Sequence, residues 1–184
     1  MCYMGNMELS KDNVDNIIKA FKIVSDKYKD IELHLYGAPS TSDQKKIITL
    51  IEKLGLRERV IFKGKAYNKD VPVILSNSFL LVSSQPNTKR AEGGFPTKLG
   101  EYMATGVPLL LTDVGEIGKY IADGVNGWLV PPGDPIKYAE KANYIIENYQ
   151  QALDVAENAK NYIANNFDCK IQGIRLKKFL DDLN

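Results

Sequence analysis

Short apolar runs that alternate with stretches of helical spacing are the feature that most limits what this chain can fold into. The runs at residues 2–5, 31–37, 59–66, 79–84, 108–113 and 127–134 read as strands, several of them closed by glycine or proline turns. Between the first two, Val14, Ile17, Ile18, Phe21 and Val24 recur at i, i+3, i+4 and i+7, the stripe of a buried helix face. Ser10 and Asp12 stand ahead of that stripe as helix-starting side chains. Ile47, Ile48, Ile51 and Leu54 form a second stripe, closed by Gly55. Residues 98–105 read as a helix stopped by Gly106, and 115–124 as a short helix with glycine at both ends. From Ile136 onward the pattern is helical, with stripes through Tyr138, Ala142, Ile145 and Tyr149 and then Ala152, Ala156, Ala159 and Ile163. A tail helix over 171–183 ends the chain. Strands that alternate with helices imply βαβ units and a parallel sheet covered on both faces. No linker, charge block or repeat divides the sequence, so residues 1–184 read as one doubly wound α/β domain. The first run resembles the end of a strand without its start, which reads as a piece of something longer.

Composition excludes several functions. Lys plus Arg is 24 against 23 for Asp plus Glu, a net charge of +1, so no global field attracts nucleic acid or anionic lipid. No apolar run reaches the ~20 residues that cross a bilayer. Residues 1–6 lack the basic and apolar regions of a signal peptide. The two cysteines, Cys2 and Cys169, lie near opposite ends and form no C-x-x-C, which fits reduced thiols in a cytosolic chain. The single histidine, His34, rules out a two-histidine metal site, and its place inside a strand argues against a catalytic triad.

Doubly wound sheets bind ligands beyond the carboxyl ends of their strands. That rule selects the loops after Gly5, Tyr36, Gly64 and Ser84. The last, residues 85–97, exceeds the 2–6 residues usual for a βα connection. Gly93 and Gly94 allow close backbone approach, and the helix that follows offers amide groups and a positive dipole end suited to phosphate. Lys89, Arg90 and Lys98 add positive charge there. Glu101, early in the same helix, is placed either to accept from a vicinal diol such as a ribose or merely to complement the helix dipole. In the first loop, Gly5 makes a tight turn, and Lys11 either reaches a phosphate or stays a solvated lysine. Neither G-x-G-x-x-G nor G-x-x-x-x-G-K-[ST] occurs, so dinucleotide and P-loop readings find no support.

The stretch GGFPTKLGEYMATGVPLLLTDVGEIGKYIADGVNGWLVPPGD (93–134) resembles the donor-binding core of family-4, or group 1, glycosyltransferases. YMGNMELSKDNVDNIIKAFKIV resembles the first βα unit of the same family, IELHLYG its second strand, and LGLRERVIFKGKA its next helix end and strand. The resemblance spans about residues 3 to 165. It implies a single Rossmann-like doubly wound sheet with helices on both faces, the C-terminal domain of a GT-B fold, and an N-terminal acceptor domain absent from this chain. It also implies transfer of a sugar from a nucleotide-diphosphate donor with retention of configuration, without a metal or other cofactor. The partners it implies are a nucleotide sugar and the missing domain, not nucleic acid. The family's setting implies a cytoplasmic location, in places peripheral to the inner membrane face.

The family carries a Glu-x7-Glu motif. Its second glutamate, on the ribose, falls on Glu101; its first, on the transferred sugar, falls on Gly93, with Glu92 one residue early. Either the loop has an extra residue and Glu92 serves, or this branch lacks the contact, the reading favoured here. Pro96 has no amide to donate, so Gly94, Phe95 and Thr97 are the implied backbone donors. The family's Arg and Lys on the diphosphate fall on Asn6 and Lys11, so diphosphate binding is expected to lean on Lys11, with Lys98 as a second candidate. The base is expected near Lys65. Two other readings use the same cradle: a nucleotide-sugar epimerase-like enzyme, and a non-catalytic nucleotide-binding or assembly domain.

Overall fold

The computed structural model describes residues 1–92 and 97–183. Its six strands are β1 (Cys2–Met4), β2 (Leu33–Tyr36), β3 (Val60–Gly64), β4 (Leu81–Ser83), β5 (Leu109–Thr112) and β6 (Trp128–Val130). All pair in parallel, in the order β3-β2-β1-β4-β5-β6. The chain thus builds outward from β1 to β3, returns, and builds the other way from β4. The reversal lies between β1 and β4, the place where such sheets open a crevice at their carboxyl ends.

Alternation along the strands divides the core. Leu33, Leu35 and Leu110 face one side, with α2 (Val14–Lys27), α3 (Thr41–Lys53) and α8 (Pro135–Glu147). Cys2, Leu81, Leu109 and Leu111 face the other, with α4 (Val71–Ser76), α6 (Thr97–Ala104), α7 (Ile117–Tyr120) and α9 (Tyr149–Phe167). The α2 stripe read from the sequence is fully buried at Val14, Ile17, Ile18, Phe21 and Val24, each such side chain contributing about 1.5–3 kcal/mol. Ser40 caps α3 by accepting from the Asp43 amide, and Asp134 caps α8 ahead of Pro135. The buried Tyr138 hydroxyl lies 3.1 Å from the Ser83 carbonyl and 2.8 Å from that of Leu110, which ties α8 to β4 and β5.

Three expectations change in detail. The strands are not all covered on both faces: β3 is an edge strand whose end, Lys63 and Gly64, is exposed. The loop after β4 contains a helical turn, α5 (Lys89–Glu92), with no buried residue to announce it. The helix read at 115–124 shortens to α7 because Asn126 intervenes. Its side chain accepts from the Ala122 amide at 2.8 Å and donates to the Tyr120 carbonyl at 2.9 Å. The tail helix forms as α10 (Cys169–Asp181) and buries none of its residues.

Candidate functional site

At the reversal the segment after β1 meets the start of α6. After Met4 the chain turns through Gly5, Asn6 and Met7, then forms the single-turn helix α1 (Leu9–Asp12) before α2. Two non-glycine residues with positive φ, Met7 at 55° and Asn13 at 44°, bracket that turn. Met7 is wholly buried, so its packing holds a backbone conformation that L-residues otherwise disfavour. A β-carbon on Gly5 would lie 2.5 Å from the Tyr3 hydroxyl and 2.6 Å from Lys98 Nζ. Only glycine fits that turn as built.

Lys98, second residue of α6, reaches beneath this turn. Its Nζ donates to Asp12 Oδ1 at 3.1 Å, lies 3.5 Å from the Tyr3 hydroxyl, and stands 4.8 Å from the Tyr3 ring centroid. Asp12 is 2% exposed, and its other carboxylate oxygen accepts the Glu8 amide at 3.1 Å. Burial holds the Lys98 ammonium below its usual pKa, while the Asp12 carboxylate opposes that shift. Lys11 and Glu101 are also among the charges acting on Lys98, the first disfavouring its proton and the second favouring it. Burial pushes the Tyr3 phenol well above its usual range, and the Asp12 charge adds to that.

Tyr102, one turn along α6, joins the helix to the end of β1. Its hydroxyl accepts the Met4 amide at 2.9 Å and sits 3.3 Å from the Met4 carbonyl. Burial raises its pKa, so it stays a neutral phenol able to do both. Tyr102→Phe is expected to leave the Met4 amide unpaired in a buried site and cost about 1–2 kcal/mol. For a chain of this size that is a fall of about 3–6 °C in melting temperature. An unchanged melting temperature would mean that water takes the place of the hydroxyl.

The remaining residues named from the sequence fall around this centre. Asn6 and Lys65 line one hollow beyond the ends of β1 to β3, together with Glu8, Gly37, Ser40 and Asp43. Glu101 is exposed and lines a groove between α4 and α6 with Asn68, Val71 and Ala104. Lys11 is half-buried on α1. Glu92 is exposed at the end of α5, and Thr97 is exposed at the start of α6. Gly93, Gly94, Phe95 and Pro96 lie outside the described residues. Arg90 reaches across to Glu8 at 3.1 Å, an exposed ion pair between the two loops. Asp12, Tyr3 and Tyr102 were not among the site residues read from the sequence. Among the described residues, no three His, Cys, Asp or Glu side chains group so that they could hold a metal ion.

This strand order defines a Rossmann-like domain. The model for group 1 glycosyl transferases matches residues 1–162, and the chain belongs to that family. N-acetyl-alpha-D-glucosaminyl L-malate synthase of Bacillus anthracis is 30% identical over 156 residues, 84% of this chain and 38% of the relative. Alpha-D-kanosaminyltransferase of Streptomyces kanamyceticus is 27% identical, over 95% of this chain and 43% of its own. The chain therefore spans less than half the length of these curated relatives. Anabaena HepE, solved in complex with UDP-glucose, superimposes with a TM-score of 0.85 at 23% identity, over 98% of this chain and 48% of HepE. The C-terminal domain of LpcC from Francisella tularensis superimposes with a TM-score of 0.80 at 22% identity, over 91% of this chain and 85% of that domain. At those identities the likeness is one of fold.

Proposed function

We propose that this chain is the donor-binding half of a retaining glycosyltransferase and holds the diphosphate of a nucleotide sugar at the β1–β4 reversal. The observation that carries this reading is the ion pair between Asp12 and Lys98, 86 positions apart, which brings the turn that bears Lys11 against the helix that bears Glu101 at the β1–β4 reversal. Lys11 meets the diphosphate, and Glu101 accepts from the ribose hydroxyls. As the glycosidic bond breaks, its electron pair passes to the departing phosphate oxygen. A fixed cation beside that oxygen lowers the barrier because it needs no reorganisation. UDP is the first nucleotide to test, since HepE was solved with UDP-glucose.

An acceptor-binding half completes the cleft in this reading, so the 184-residue chain binds donor but turns it over poorly. Two observations support the missing half: the chain covers less than half of its curated relatives, and α10 leaves Ile174 and Phe179 at 70% and 60% exposure. Large apolar side chains exposed together mark a surface that another body covers. Among the described residues no helix is long and apolar enough to cross a membrane.

Thermal shift with a panel of nucleoside diphosphates tests the proposal, because a ligand that binds only the folded chain raises its melting temperature by mass action. A rise with UDP or another nucleoside diphosphate, and none with the nucleoside alone, is the expected result. No shift with any member of the panel overturns it. Glu101→Gln is expected to weaken UDP binding about tenfold in calorimetric titration, as one charge-assisted hydrogen-bonding group is lost. Its melting temperature is expected to stay within about 2 °C, because Glu101 is exposed. Equal affinity would leave Glu101 only its helix-dipole role.

A further inference from the structure

We propose that Asp12 and Lys98 form a part-buried positioning pair, which clamps the Lys11 turn to the Glu101 helix and keeps Lys98 off the diphosphate. The inference rests on the donor-site reading above and assigns to Lys98 a different part from that of a phosphate ligand.

The geometry separates this pair from the other ion pairs of the described residues. Side-chain exposure is 23% for Lys98 and 3% for Asp12; in every other pair at least one partner is exposed by 46% or more. Exposed pairs contribute little, whereas removing one member of a buried pair leaves an uncompensated charge. The two residues lie 86 positions apart in sequence, and each has a functional neighbour. Lys11 precedes Asp12 on α1. Glu101 follows Lys98 by three residues on α6, one turn along the same helix. Fixing Asp12 to Lys98 therefore fixes the spacing between the cation for the diphosphate and the carboxylate for the ribose.

Lys98 is also badly placed to serve phosphate directly. Its ammonium is engaged by Asp12 at 3.1 Å, has the Tyr3 hydroxyl at 3.5 Å, and lies 2.6 Å from where a β-carbon on Gly5 would be. Moving outward would strand Asp12, which has the Glu8 amide but then no cation.

The two roles predict opposite signs for one substitution. Asp12→Asn keeps the shape of the side chain and removes a negative charge next to an anion site. If Lys98 were a phosphate ligand, this change would free it, and affinity for anions would rise. If the pair positions the site, affinity falls although the electrostatics favour a rise. Isothermal titration of the 184-residue chain with UDP and with inorganic pyrophosphate, well below the melting temperature, reads the sign directly. The expected result is about a tenfold loss for Asp12→Asn and for Lys98→Met, with the double variant no worse than either alone, as for residues that act as a unit.

Unchanged or tighter binding by Asp12→Asn, with wild-type binding intact, overturns the positioning role, even if the melting temperature drops. A wild-type chain that binds neither probe nor any other nucleoside diphosphate overturns the donor-site reading, and this proposal with it. Should Asp12→Asn lose its cooperative unfolding transition, Lys98→Arg carries the test. A guanidinium serves a phosphate at least as well as an ammonium but is bulkier, and Lys98 Nζ already has the Tyr3 hydroxyl at 3.5 Å and Asp12 at 3.1 Å. Weaker binding supports the pair, and retained or tighter binding overturns it.

Discussion

Gly37→Ala is expected to destabilise the chain strongly. Gly37 follows β2 with φ at +144°, a conformation that L-residues rarely adopt, and a β-carbon there would stand 1.7 Å from the Gly5 carbonyl oxygen and 3.3 Å from the Met7 methyl. The first obstacle is backbone, which cannot rotate away as a side chain would. The Gly5 amide also donates to the Tyr36 carbonyl at 2.9 Å, so the two strand ends are already stitched at this distance. Relief would require β1 and β2 to part, together with the turn that carries Lys11. Conformational strain and overpacking together cost on the order of 3–5 kcal/mol, or about 10 °C or more in melting temperature for a chain of this size. Gly124→Ala is the control: φ is +74°, but nothing lies within 4 Å of the added carbon, so strain alone should cost about 1 kcal/mol. Calorimetric melting of both variants decides the matter. Equal shifts would mean that the strand ends relax freely around Gly37.

That close approach shows what a linear pattern conveys and what it hides. The periodic stripes located α2, α3, α8 and α9 because each buries a face in the core, and spacing along the chain records which face that is. The resemblance pointed to the loops after β1 and β4, and the strand order sets both at the reversal. Hidden were the residues whose partners are chosen by topology. Asp12 looked like a helix-starting side chain; it ends α1 instead and faces Lys98, a partner that only the β1–β4 crossing supplies. Tyr102 is one of 10 tyrosines in the sequence, and only the placing of α6 lays it across the end of β1. The turn α5 left no trace because Lys89 to Glu92 buries nothing. The two contacts join segments far apart in sequence, and such a pairing leaves no period along the chain.

Lys11→Ala is expected to have the largest effect on chemistry. In the proposed reaction the diphosphate gains charge only as the sugar departs, so a cation fixed beside it is worth more in the transition state than in the ground state. In that proposal Lys11 is the cation for the task. Its half-buried stem lies on a one-turn helix bracketed by Met7 and Asn13 at positive φ, and its neighbour Asp12 is pinned from below. Removing the cation from the enzyme with both halves present should lower kcat about 10²–10³-fold. UDP binding by the 184-residue chain should weaken only about tenfold, since in the ground state other groups share the diphosphate. Initial rates on the two-domain enzyme, set beside titration of the single domain, give the two numbers separately. A loss confined to KM would make Lys11 a uniform binding group, and unchanged turnover would remove it from the site. If Lys11 reaches the diphosphate only while the Asp12–Lys98 pair holds its turn, Asp12→Asn should produce a smaller loss of the same kind. Adding it to Lys11→Ala should cost little more, since the group it positions is already gone.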